Sequence, residues 1–206
     1  MEKYAAIGKE NLKHNLPVHF WLCTALLLLS PFFIGLENLN QQESAKVLEY
    51  YPVFLGVILI TPVFLPEQDQ NIRDLTDSKY TGAWMVYGIR VLEALGALMV
   101  LLALYMAVMK MGNCQFAFEK NYLGALGGML FLGGLGLLIY ALTDQIVNGY
   151  MIPVLYYMLC VSAGREKLGV FYLFSMTLGD YTGKAVQGAA GILMIGLGIW
   201  VRSRRR

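Results

Sequence analysis

Residues 50–95 read YYPVFLGVILITPVFLPEQDQNIRDLTDSKYTGAWMVYGIRVLEAL: an apolar run, a short mixed-charge stretch, then a longer apolar run. A helix crosses a bilayer with roughly 20 apolar residues, in a range of about 17–25. Tyr50–Leu65, with Pro52 and Pro62 near its ends, and Trp84–Met109 therefore read as two spans joined by a charged connection. Working outward, Val18–Leu36 supplies a span before this unit, and Tyr122–Leu142, Ile146–Ala163 and Ala185–Val201 supply three after it. Between the last two lies LGVFYLFSMTLG (168–179), too short to cross as a helix. It reads as a re-entrant or interfacial segment within 164–184.

The sequence thus predicts an all-α membrane protein, residues 1–206 forming one domain of six transmembrane helices. Composition agrees. The chain is 57% hydrophobic and 15% charged, with a mean hydropathy of +0.55, against about 45–50% and 25% for soluble domains. The net charge of +2 gives no reason to expect nucleic acid. Cys23, Cys114 and Cys160 are scattered and lack CxxC or Cys/His spacing, so neither a disulfide framework nor a metal site is expected.

Six spans place both termini on one side. Lys3, Lys9, Lys13, Arg73, Lys79, Arg202, Arg204, Arg205 and Arg206 fall on that side, nine positive residues. Lys46, Lys110, Lys120, Arg165, Lys167 and Lys184 make six on the other. The excess predicts cytoplasmic termini and a cytoplasmic 66–82 loop. The N-terminal residues 1–17, with Tyr4, Ile7 and Leu12 set against lysines, predict an amphipathic helix on that surface.

The candidate functional residues are few. His14 and His19 flank Pro17 and read as interfacial anchors. GDYTGKA (179–185) has three residues rather than four between its glycines and ends in Ala185, so it is not a phosphate loop. No nucleophile, dyad or metal cluster suggests an enzyme. Ionisable residues within spans are costly and so informative. Arg90 and Glu93, three apart, share a helix face and read as a structural pair or a transport element. Asp144 reads as a solvated or helix-capping residue. Gly124 and Gly128, at GxxxG spacing, and Gly188, Gly191, Gly196 and Gly198 mark close helix packing, inside one bundle or across a dimer seam.

The charged stretch itself has helical logic. Glu67 and Asp69 stand at its start and Lys79 at its end, matching a helix dipole. Asp69–Arg73 and Arg73–Asp77 are i, i+4 pairs, and Ile72 and Leu75 form a small apolar face. Such a stretch suits docking into a soluble partner, or it is a solvated loop.

The pattern E-x5-R-x-L-x3-K (Glu67, Arg73, Leu75, Lys79), between one span and another that carries an early Arg, resembles the permease subunits of ATP-binding-cassette transporters. The likeness is to the second, exporter-type class and its small stand-alone bacterial permeases. The resemblance implies a cytoplasmic coupling helix in which Asp69, Gln70, Ile72, Arg73, Leu75, Asp77 and Lys79 contact an ATP-binding subunit. Ile72 and Leu75 are then its anchors. It implies a connecting helix over 1–17, re-entrant helices between spans five and six, and a second permease subunit, identical or paralogous. It also implies a bacterial cell-membrane location and export of an antimicrobial peptide, drug or other amphipathic cargo. ATP and magnesium then belong to the partner ATPase, and this chain binds no cofactor. A secondary transporter, or a non-transporting accessory or immunity subunit, is the alternative.

Overall fold

The computed structural model describes residues 2–68 and 82–205, with side chains from residue 7 onward. Of the described residues 86% are helical and none is in a strand, and among them six helical stretches are long and apolar enough to span a membrane.

Helix α1 (Glu2–His14) ends in Lys13 and His14, cations that suit the negative end of a helix dipole. Helix α2 (Leu16–Ile34) begins with Pro17 in its first turn, where no N–H is needed, and stops at Gly35 with φ 64°.

The second span begins at Gln41 rather than Tyr50. Asn40 and Glu43 form a reciprocal capping box that opens α3 (Gln41–Tyr50), and Ala45, Val47 and Leu48 are buried. Most of residues 37–49, left between the two expected spans Val18–Leu36 and Tyr50–Leu65, is therefore helix. The chain breaks at Tyr51–Pro52 and resumes as α4 (Val53–Ile60). It then tightens into a 3₁₀ helix, Thr61–Gln68, that contains Pro62 and Pro66. A 3₁₀ run this long is unusual; two prolines without donors discourage regular α-helix there.

Helix α5 (Ala83–Met111) has 29 residues, about 43 Å at 1.5 Å per residue, longer than a hydrocarbon core of about 30 Å. Helices α6 (Phe118–Thr143), α7 (Ile146–Leu168) and α8 (Thr182–Arg204) complete the bundle. Helix α7 is interrupted at Gly164 (φ 71°, ψ 174°).

Helix α6 is the hub, packing against the second span, α7 and α8; 72% of its most apolar stretch is buried, and 78% of the second span's, against 11% for α2 and 28% for α8. It approaches three neighbours at backbone distance, α7 through Gly136 and Gly149, where a Cβ on Gly136 would lie 2.7 Å from the Gly149 carbonyl oxygen. A Cβ on Gly133 would lie 2.5 Å from the Gly56 carbonyl oxygen of α4, and one on Gly134 would lie 2.5 Å from that of Gly191 on α8. Only glycine permits such contact, and without a hydrophobic force between helices in lipid, close packing supplies the association. Gly124 and Gly128 also face inward, toward Met176 and Lys184. Those glycines are thus spent inside the bundle.

One end of the bundle carries α1, the C-terminal end of α8 and the described residues that flank 69–81. The opposite, capped end carries three connections. Asn38 N–H donates to the Gly112 carbonyl (2.8 Å) and Gln115 N–H to that of Leu39 (2.9 Å), tying the first two together. The third, expected as a re-entrant segment, consists of 3₁₀ turns at Gly169–Phe171 and Met176–Leu178, with Leu173, Phe174 and Met176 buried.

Candidate functional site

The expected partner-contact residues Asp69, Gln70, Ile72, Arg73, Leu75, Asp77 and Lys79 lie outside the described residues. What holds the two sides of that connection is described. Glu67, at the exit of the second span, is fully buried. The Tyr87 hydroxyl donates to its Oε2, and Arg90 Nη1 lies 3.5 Å from its Oε1. The same Arg90 nitrogen donates to the Val63 carbonyl at 3.3 Å. Tyr87 and Arg90 both sit within the first turns of α5, so one carboxylate joins the helix before the connection to the helix after it.

The pairing expected between Arg90 and Glu93 is corrected here. They share α5, but no ion pair joins them; Arg90 turns to the second span, while Glu93 accepts from Asn11 Nδ2 at 2.7 Å. Gly8 lets α1 lie close, since a Cβ there would be 2.6 Å from Glu93 Oε1. The N-terminal helix is thus fastened to the third span. Local spacing suggested a partner three residues away; the tertiary partners lie 23 and 82 residues away.

A second group adjoins the first. Phe64 meets the Tyr87 ring edge-on at 4.8 Å and tilts against Tyr140 at 5.9 Å. The Arg202 guanidinium lies over both rings, 5.8 Å from Phe64 and 5.9 Å from Tyr140, within cation–π range. It also forms an ion pair with Asp144. Asp144 does cap a helix: it follows α6 in the left-handed conformation, φ 55°. Arg205 donates to the Ala141 carbonyl at 3.1 Å and to that of Leu142, satisfying carbonyls that the end of α6 leaves open.

Together these contacts join the second span, α5, α6 and α8 at one end of the bundle. Beside them, where α1, α2, the second span and α5 meet, is a cavity of about 20 Å³ lined by Asn11, His19, Pro62 and Arg90. It has room for about one water molecule. Among the described residues no three His, Cys, Asp or Glu side chains gather as metal ligands. The three cysteines are free and buried. The carboxylates and guanidiniums engage protein groups, and this joint ties together the helices on either side of residues 69–81.

Sequence reading missed Glu67 and Tyr87 as members of the joint, and Glu49 and Lys184 at the capped end. Lys184 lay within the rejected GDYTGKA motif, and its partner stands 135 residues away. The one available signal was a lysine immediately before a span. Neither a family model, nor a curated protein, nor a solved structure matches the chain.

Proposed function

We propose that the chain is the permease subunit of an exporter-type ATP-binding-cassette transporter, in a bacterial cell membrane with both termini cytoplasmic. The observation that carries this reading is the Glu67 tie. A charged connection with helical spacing leaves the second span through a buried carboxylate that α5 grips with Tyr87 and Arg90. A push on residues 69–81 then reaches two spans at once. Buried packing is bistable rather than continuously deformable, so it converts a small shift into a change of arrangement.

In this reading α1 is the connecting helix, 66–82 the coupling loop and 164–184 the outer re-entrant segment. Ile72 and Leu75 anchor the loop in a cytoplasmic ATPase that binds ATP and magnesium. Asp69, Arg73 and Asp77 set its orientation. A second permease, identical or paralogous, completes the path for an amphipathic peptide or drug.

Purification from the native membrane in mild detergent, with the bound proteins identified, tests this. An ATPase carrying a Walker sequence, recovered with the wild type and lost with Leu75→Asp, is the expected result. Recovery of the chain alone, or of a non-ATPase partner, overturns the assignment in favour of a secondary transporter or an accessory subunit.

A further inference from the structure

At the capped end, Glu49 and Lys184 are both buried. Glu49 Oε1 accepts from the Met176 N–H at 2.7 Å and pairs with Lys184 Nζ at 2.9 Å. Its Oε2 accepts from the N–H and the hydroxyl of Thr177, at 3.0 and 2.8 Å. Lys184 also donates to the Leu173 carbonyl. One carboxylate from the second span therefore takes four donors, three of them from the middle of the connection between α7 and α8.

That connection is built to swing. It has two three-residue 3₁₀ turns and no α-helix between α7 and α8. Apart from the Glu49–Lys184 group, only the Tyr156 hydroxyl, to the Phe171 carbonyl, and Gln187 Nε2, to those of Val170 and Tyr172, are side-chain donors from the flanking helices to its backbone. Gly164, Gly169 and Gly179 bracket the turns at φ 71°, 53° and 77°, and a Cβ at any of the three would meet nothing within 4 Å. Positive φ in open space is where a chain can pivot. Arg165 and Asp180, each next to an outer pivot glycine, pair at 2.5 Å and hold the two feet together. The feet are partly exposed; the attachment at the middle is not.

We propose that residues 165–180 are a hinged cover over this end of the bundle and that the Glu49–Lys184 pair is its latch. On the underside of the cover, Phe174 stacks on Tyr50 at 4.1 Å and meets Tyr157 edge-on at 5.3 Å. Cys160 shares that buried cluster with Leu173 and Phe174. Release of the latch opens the cluster to the medium. Charges taken out of water persist only when paired and hydrogen-bonded, so the latch weakens with each donor lost and most when the carboxylate charge itself is removed. The inference uses neither the 69–81 connection nor an ATPase, and it stands or falls apart from the transport reading.

Cys160 is the native reporter. In full-length protein carrying Cys23→Ala and Cys114→Ala, in permeabilised membrane vesicles, its modification by a charged thiol reagent is slow. Glu49→Gln raises that rate about tenfold or more, because local opening becomes cheaper. Thr177→Val, which removes one hydroxyl donor, raises it by less. Hydrogen exchange on the same samples shows faster exchange over 169–181 with α6 still protected. Unchanged Cys160 reactivity in Glu49→Gln overturns the latch. So does accelerated exchange throughout α6, which would make the pair a requirement for folding rather than for closure.

Discussion

At the scale of single residues, the Glu67 carboxylate decides what the termini end of the bundle tolerates. Arg90→Ala removes one cation from a fully buried carboxylate, and breaking a buried pair by deleting one partner costs about 3 kcal/mol. A lowered thermal midpoint in detergent is the expected readout. Glu67→Gln with Arg90→Met removes both members of this pair together, so the double variant is more stable than Arg90→Ala alone. If it is no better, the two groups do not act as a pair. The sequence already marked Arg90 as costly inside a span, since that follows from residue type and depth. Its partner was illegible, because helical spacing exposes neighbours at i+3 while Glu67 approaches across a connection. The same limit hid Glu49 and Lys184, whose pairing exists only once the second and sixth spans are packed.

At the scale of elements, α6 depends on glycines that cannot carry a side chain. Gly191→Val would place Cβ 2.4 Å from the Leu130 carbonyl carbon. Overpacking of this kind costs about 1–3 kcal/mol and should appear as a protease-sensitive bundle. Gly196→Ala, on the same helix with open space around it, should be neutral or mildly stabilising; equal damage at both positions would refute the seam. The existence of all six spans was legible from apolar length. The beginning of the second was not, because Glu43, Lys46 and Glu49 look like a solvated connection until the Asn40 capping box and the inward face of α3 are recognised.

The foot of the α7–α8 connection supplies a pH test at the same scale. The Thr182 hydroxyl and the Gly183 N–H hold the Asp180 carboxyl below its ordinary range, and Arg165 adds to the effect. A depressed carboxyl contributes stability above its unfolded pKa and loses it as pH falls through the lower folded value. Exchange at the Thr182 and Gly183 amides, corrected for intrinsic rates, should stay constant from neutrality down to about pH 4 and rise only below it. Asp180→Asn should remove that step; a step near pH 6 would point to another group.

For the whole molecule, burial is lopsided. The hub helix is enclosed, while α2 turns Phe32 and Phe33 outward at 85% and 78% exposure and α5 does the same with Met111 at 84%. Apolar surface of this extent needs a non-aqueous neighbour, and lipid meets the need along spans of this length. An even number of crossings puts both ends of the chain on one face. Reporter fusions at residue 1 and at residue 206 should therefore report the same compartment, and opposite compartments would break the six-span reading.

The prolines of the second span also have a consequence for reach. Eight residues, Thr61–Gln68, rise about 16 Å as 3₁₀ helix at 2.0 Å each, against about 12 Å as α-helix. Pro62 and Pro66 thus work as a spacer that sets the height at which the charged connection leaves the span. Replacing both with alanine favours the shorter form and withdraws Glu67 by about 4 Å, beyond the grasp of Arg90. A pair of spin labels, one on α4 and one at residue 68, should register that contraction as a shortened distance.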